Sequence, residues 1–407
     1  MLFLALVFFA TFCVCWLGVA LWVIYKQLCT EYIPKGIGHP VKLRTLSYML
    51  QLSLTWGRIL EKLRICSAPQ FVCFLQDLLP LKKDASVTVT DLHFGTIPVK
   101  LYQPKAACGT LRTGIVLYHG GGSILGSMKS YNGICLHLCK ESDSVILSVG
   151  YRKSPKHRFP VMLNDCVVAT VHFLKSLGAY GVDPARVVVF GDSMGGAVAA
   201  TLCKLLQAQP GLPRLRAQVL VYAALQAVDF QSPSFRQNHN VPLLTWDLAF
   251  YCWTSHLAIS PHWRRAVRQG AHLTPEFWQQ YGKWLGPENI PERFKPPGCR
   301  PPQPVPVDED AYLETTMARR EACSPLLTPD RLMARFPEAC IVSCEYDVLR
   351  DHSLLYKKRL EDLGVPVTWH HMEDGFHGVL STLDLGCLRF PCSLRICDLI
   401  VHFIKGL

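Results

Sequence analysis

No acidic or basic side chain occurs in the first 25 residues, MLFLALVFFATFCVCWLGVALWVIY; the first charge is Lys26. Roughly 20 apolar residues span a bilayer, so residues 1–25 read as a transmembrane segment, with Trp22 and Tyr25 placed for the headgroup region. The basic stretch that usually precedes the apolar core of a signal peptide is missing. The run also continues past Gly18-Val19-Ala20, a small-x-small sequence that would suit cleavage, so an uncleaved anchor is the better fit. Metal-ligand spacing is absent too: 18 cysteines include no CxxC pair, and there is no HExxH, so no zinc site is expected. No cofactor is expected either. Despite a net charge of +11, no Lys/Arg run is long enough for a nucleic-acid arm. The interspersed basic residues suit a solvated surface or attraction to anionic lipid, and nucleic acid is not expected as a partner. No Asn-x-Ser/Thr sequon and no internal repeat is present.

What remains is a chain half of whose residues are hydrophobic, long enough for one large domain or two smaller ones. Cys166, Cys203, Cys340 and Cys397 lie in apolar stretches, where cysteine acts as a small hydrophobe. An oxidising compartment would allow a disulfide or two. Residues 26–85 are helical and mixed in character. Their segment LRTLSYMLQLSLTWGRILEKLRIC, interrupted by Arg44, Arg58, Lys62 and Arg64, could lie on a membrane surface or cover a pocket.

From residue 86 the pattern changes. Strands are expected at 86–94 and 97–104, joined at Gly95-Thr96 as a hairpin, then at 114–118, 144–150, 186–190, 217–222, 340–344 and 366–372. Helical stretches at 164–177, 194–208 and 353–363 alternate with them. This is the signature of an α/β fold: a mostly parallel eight-stranded sheet with helices on both faces. A long interval, rich in aromatics and prolines, breaks the alternation before residue 340. It reads as a helical cap at 226–322, dividing the core into 86–225 and 323–407. Trp246, Phe250, Tyr251, Trp253, Trp278 and Trp284 are its candidate pocket residues, although cap core is the commoner fate of any one of them.

Chemistry points to Gly191-Asp192-Ser193-Met194-Gly195-Gly196. RVVVF before it is strand-like and AVAATLCKLLQ after it is helical, which puts Ser193 on a strand-to-helix turn, the setting of a nucleophile elbow. Upstream, IVLYHGGGS runs from a strand into His119-Gly120-Gly121-Gly122. Consecutive glycines let backbone N–H groups converge on one point. With the N–H of Met194 they would form an oxyanion hole, and His119 would fix the loop. An acid and a base should follow the serine in that order. CIVSCEYDVLRD presents Asp347 after a strand, with Asp351 a competitor at the helix start. VTWHHMEDGFHGVL presents His377 in a loop, while His370 and His371 fall within the strand. Ser193 needs a base to take its proton, and an acid must hold the base in the right tautomer.

YHGGGS, GYRKSPKHRFP, GDSMGG, SPLL, EYDVLRD and DGFHG together resemble the hormone-sensitive-lipase branch of the α/β-hydrolase fold. With the N-terminal anchor, the chain is similar to the arylacetamide deacetylase-like family. The likeness covers essentially the whole chain. It implies hydrolysis of hydrophobic carboxylic esters or acetamides, with Ser193, Asp347 and His377 matching the triad and His119-Gly120-Gly121-Gly122 matching the oxyanion motif. It also implies a type II anchor in the endoplasmic reticulum with a lumenal catalytic domain. The charge bias runs the other way, since Lys26, Lys35, Lys42 and Arg44 all follow the span. Two positions depart from the family pattern: Ser123 replaces a common aromatic, and Met194 a common alanine. A second functional class is a non-catalytic ligand-binding protein on the same fold. The intact serine, acid and base favour the enzyme.

Overall fold

The structure is a computed structural model that describes residues 2–106, 109–298 and 305–407. Residues 299–304 of the proline-rich stretch KPPGCRPPQPVPV lie outside it. Helix α1 (Leu2–Thr30) continues past Tyr25, and its segment Phe9–Thr30 is long and apolar enough to cross a membrane. Helices α2 (Pro40–Lys62) and α3 (Ala68–Asp77) follow as a packed pair. Gly57 allows the close approach, because a Cβ there would meet the Ala68 backbone at 2.8 Å. The start of α3 is fixed by a reciprocal cap between Ser67 and Gln70.

Eight strands then form one sheet: β1 (Val87–Phe94), β2 (Ile97–Pro104), β3 (Arg112–Tyr118), β4 (Val145–Val149), β5 (Val182–Asp192), β6 (Ala217–Val221), β7 (Glu338–Tyr346) and β8 (Val367–Phe376). Their order is β1-β2-β4-β3-β5-β6-β7-β8. The β1–β2 hairpin turns at Gly95-Thr96 and joins β4 antiparallel; every later pairing is parallel. All eight expected strands are present, and the sheet is mostly parallel as the strand–helix alternation requires.

Parallel strands need helical crossovers, and these cover both faces. The connections are α4 (Asn132–Ser142), α5 (Val161–Lys175) and α6 (Met194–Gln207). The insertion after β6 holds α7 (Pro233–Gln237), α8 (Trp246–Leu257), α9 (Arg264–Gln269), α10 (Pro275–Leu285) and α11 (Glu309–Glu314). Short α12 (Asp330–Met333) leads into β7, α13 (Arg350–Asp362) joins β7 to β8, and α14 (Pro391–Lys405) ends the chain. Ile115 and Leu117 of β3 enter one core with Ile134 of α4 and Ile400 of α14. Val116 and Tyr118 enter the other with Phe173 of α5, Leu202 of α6 and Leu355 of α13. Successive side chains of a strand point to opposite faces, so a strand covered on both sides reads as an unbroken apolar run.

Cysteine serves this packing. Cys166, Cys203, Cys340 and Cys397 are buried, and burial pushes each thiol up. The described cysteines are all free, so the disulfide allowed for by an oxidising compartment is absent among them.

Candidate active site

Four loops that carry the sequence-derived residues leave the carboxyl ends of neighbouring parallel strands. His119 directly follows β3, Ser193 follows β5, Asp347 follows β7 and His377 follows β8. The carboxyl edge of a parallel sheet is where such folds gather their functional loops. Residues far apart in the chain are thereby brought to one point.

Ser193, His377 and Asp347 form one hydrogen-bonded line. His377 Nε2 lies 2.9 Å from Ser193 Oγ, and His377 Nδ1 lies 2.9 and 3.0 Å from the two carboxylate oxygens of Asp347. All three are buried, Asp347 almost completely. Asp347 Oδ1 also accepts the N–H of Leu349 at 2.8 Å, which fixes the carboxylate. The Tyr222 ring lies 4.9 Å from the His377 ring and limits its rotation.

The backbone at Ser193 is strained, with φ 52° and ψ −122°. A non-glycine residue held in such a region costs about 1–3 kcal/mol and persists only when its surroundings over-determine it. Here they do: Ser193 N–H donates to Val221 O at 2.9 Å, and Ser193 O accepts from Ala224 at 3.0 Å. Two residues on, a Cβ at Gly195 would collide with the carbonyl of Tyr118. The elbow therefore needs glycine there to let β3 and the head of α6 touch.

The glycine loop is tied to this elbow by a residue that the sequence reading passed over. Asp192 accepts the Gly120 N–H and the Tyr131 hydroxyl, each at 2.7 Å. Its burial raises its carboxyl to about 6. His119 does not face Ser193 with its ring. Its Nδ1 sits 2.7 Å from Gly120 O and 3.0 Å from the Tyr151 hydroxyl, and its ring stacks on Tyr151. Burial, with Lys153 adding to it, holds this imidazole down at about 3, so it is neutral. His119 holds the loop, as expected of it, and is not part of the oxyanion set; Gly120 also leaves that set, because its N–H is spent on Asp192. The N–H groups of Gly121, Gly122 and Met194 have no protein acceptor among the described residues, and all three residues line the cavity beside Ser193. Gly121 has φ +107°, a conformation that favours glycine.

Among known proteins, the profile described as alpha/beta hydrolase fold matches residues 115–272 and 299–381. "Arylacetamide deacetylase-like 3" of Homo sapiens is 62% identical over 404 residues, covering 99% of each chain. The chain belongs to the arylacetamide deacetylase-like family of α/β hydrolases. "Arylacetamide deacetylase" of Rattus norvegicus is 35% identical, over 86% of this chain and 89% of its own. The solved structure of carboxyl esterase 2 from the fungus Tuber melanosporum shares the fold, with a TM-score of 0.59 and 24% identity over 80% of this chain and 89% of that one.

In this arylacetamide deacetylase-like chain a cavity of about 800 Å³ opens over Ser193 and His377. Its roof has two sources. The insertion contributes Leu248, Cys252 and Trp253 from α8, and the N-terminal pair contributes Leu50 of α2 with Val72 and Leu75 of α3. Of the six aromatics offered as pocket residues, only Trp253 lines it. Trp246 and Phe250 stack on each other at 5.1 Å, and Tyr281 packs between Phe277 and Trp284 in the body of the cap. Ser123, at φ 62°, is buried with its hydroxyl unpaired, and Met194 lines the cavity and packs against the core.

The competing residues have structural partners. Asp351 accepts the Ser234 N–H at 2.6 Å and pairs with buried Arg350 at 3.3 Å. His371 lies 2.9 Å from both Ser343 Oγ and Glu345 Oε2. Neither reaches Ser193. Among the described residues no group of His, Cys, Asp and Glu is arranged to hold a metal ion.

Proposed function

We propose that this chain is a membrane-anchored serine hydrolase that cleaves carboxylic esters of hydrophobic substrates, with acetamides as a second substrate type. One observation carries the reading: the unbroken line Asp347–His377–Ser193, with both ring nitrogens of His377 in hydrogen-bond range of a partner. Ser193, Asp347 and His377 act as nucleophile, acid and base. Ser193 Oγ forms the new bond to the acyl carbon as its proton passes to His377 Nε2. Asp347 stabilises the imidazolium that results. The negative charge on the former carbonyl oxygen is met by the free N–H groups of Gly121, Gly122 and Met194, at the head of α6 where the helix field is positive. Collapse of this intermediate breaks the bond to the leaving oxygen or nitrogen, which takes the proton from His377. Water then repeats the sequence on the acyl-enzyme.

The largely apolar cavity suits substrates that partition into lipid, and α1 suits a type II anchor that keeps the domain at the membrane of the endoplasmic reticulum, on its lumenal side. Names and sequence similarity of the relatives support the hydrolase class.

The test is covalent labelling. Membranes that carry the full-length protein, or its Ser193→Ala variant, are treated with a fluorophosphonate, and the modified peptide is located by mass spectrometry. Label at Ser193 that disappears in the variant is the expected result. Folded protein that stays unlabelled beside a reactive control esterase would overturn the enzyme and leave a ligand-binding protein on this fold.

A further inference from the structure

Leu79 and Leu81 line the cavity and are also exposed, at 55% and 43%, as is Met49 of α2 at 53%. Residues with both properties mark where the cavity reaches the outside. The apolar surface does not stop at that mouth. Phe74 and Leu78 are exposed at 58% and 62%. Phe74 on α3 and Leu78 at its C-cap are four residues apart, one helical turn, and the chain then runs directly into Leu79-Pro80-Leu81. A contiguous apolar lip of this kind on a folded domain marks an interaction site.

We infer that this lip is seated in a lipid bilayer, so that the cavity opens to the membrane interior. Two features select lipid as the occupant. The first is continuity: the end of α1 rests on the start of α2, with Ile24, Gln27 and Leu28 facing Pro40, Val41 and Arg44. The apolar helix and the lip helices thus belong to one packed unit. The second is charge. Residues 58–83 hold Arg58, Lys62, Arg64, Lys82 and Lys83 against Glu61 and Asp77. Lys62, Arg64 and Lys83 are exposed, while Lys82 pairs with Asp384 at 2.6 Å and Asp77 bonds Ser127 at 2.5 Å. Exposed basic side chains on either side of the lip in the sequence suit phosphate headgroups next to acyl chains. An ester dissolved in the bilayer would then reach Ser193 without crossing water. The docking rests on the exposed lip, whereas the route for substrate rests on the hydrolase reading above.

The experiment uses the full-length chain in phosphatidylcholine–phosphatidylserine nanodiscs. A photoreactive benzoylphenylalanine is placed at Phe74, at Leu78 or, as a control, at Val168, which is 53% exposed on α5. Phospholipid adducts at 74 and 78 with none at 168 are expected. Adducts only to protein at 74 and 78, whether a second copy or another chain, would overturn the proposal, as would lipid adducts no stronger than at 168. The variant Phe74→Glu/Leu78→Glu gives the functional arm, since neither residue lines the cavity. It should hydrolyse a long-chain ester held in the bilayer at least tenfold more slowly, with a water-soluble short ester and Ser193 labelling unchanged. Equal rates on the bilayer ester would remove the route. If wild-type Ser193 itself fails to label, the hydrolase reading falls and the lipid adducts alone decide the docking.

Discussion

The backbone N–H of Gly120 lies 2.7 Å from Oδ1 of Asp192, the residue immediately before Ser193. The glycine loop and the serine turn, each leaving a different strand, are thus fixed to each other by one buried carboxylate. Tyr131 completes the tie from the start of α4.

Asp192 is a positioning residue, and Asp192→Asn tests it. The amide keeps the size but has one acceptor oxygen where the carboxylate serves two donors, so Gly120 and Tyr131 can no longer each donate to an oxygen of their own. Displacement of the loop should resemble the loss of an oxyanion donor, about 10²–10³-fold in kcat. KM for a short ester should change little, and the loss should persist when kcat is counted per fluorophosphonate-titrated site, which a merely destabilised fold would not produce. Tyr131→Phe removes the hydroxyl that Gly120 also reaches at 3.0 Å but leaves the Gly120–Asp192 bond intact, and should lose less.

Gly195→Ala tests the elbow. The added methyl would drive into the Tyr118 carbonyl, where backbone faces backbone and no flexible side chain can yield. Either β3 separates from α6 or Ser193 leaves its strained conformation. The expected result is poor expression or a protein that no longer labels at Ser193. Normal expression with full labelling would show that the contact is looser than described.

Four buried histidines make acid sensitivity a further expectation. Burial lowers His119 and His352 to about 3, and His256 and His272 to about 4. An unfolded histidine titrates near 6.5. The folded state therefore binds fewer protons, and the stability these groups carry is complete above about pH 6.5 and is lost as pH falls toward 4. Asp192 and Asp229, both raised to about 6 by burial, act in the opposite sense over roughly pH 4 to 6. Burial also raises Asp351 and Glu31 in that sense and lowers His370 with the other histidines, but the four deeply buried histidines dominate, so net stability should fall between pH 7 and pH 5. Thermal unfolding at pH 7 and pH 5 checks this; an unchanged Tm would contradict it.

Much of this site was legible because Ser193 and Asp347 follow strands with clear apolar runs, and His377 follows one marked by its strand-forming Val367-Thr368-Trp369. RVVVF, CIVSC and VTWHH locate β5, β7 and β8, and the loop residue beyond each one is then a short choice. The tie between Gly120, Tyr131 and Asp192 was not legible, since it is a pairing between distant segments and no local pattern encodes which donors a carboxylate will meet. The cap aromatics show the same limit. Trp246 and Trp253 lie on one short helix, yet one stacks on Phe250 within the cap and the other borders the cavity. Periodicity says that a helix face is buried, not what it is buried against. For that reason the sequence left residues 26–85 open between a membrane surface and a pocket cover, and the packed structure shows that α2 and α3 line the cavity.

Asp347 and Asp351, four residues apart, were both candidates for the acid, and their environments give opposite expectations. Asp347 contacts His377 through both oxygens, and its replacement by asparagine would keep a hydrogen bond while removing the charge that stabilises the imidazolium. Asp347→Asn should therefore fold normally and lose about 10⁴-fold in kcat. Asp351 instead pairs with buried Arg350, which also reaches Glu345, Gln237 and Phe294. Arg350 keeps Glu345, so losing the Asp351 charge costs less than the about 3–5 kcal/mol of a wholly uncompensated buried charge. Asp351→Asn should lower the Tm and reduce the yield of folded protein, yet each folded molecule should label at Ser193 at the wild-type rate. Titrating active sites in both variants with a fluorophosphonate, alongside thermal unfolding, separates the two effects. A normal Tm with lost labelling in Asp351→Asn, and the reverse in Asp347→Asn, would reassign the acid.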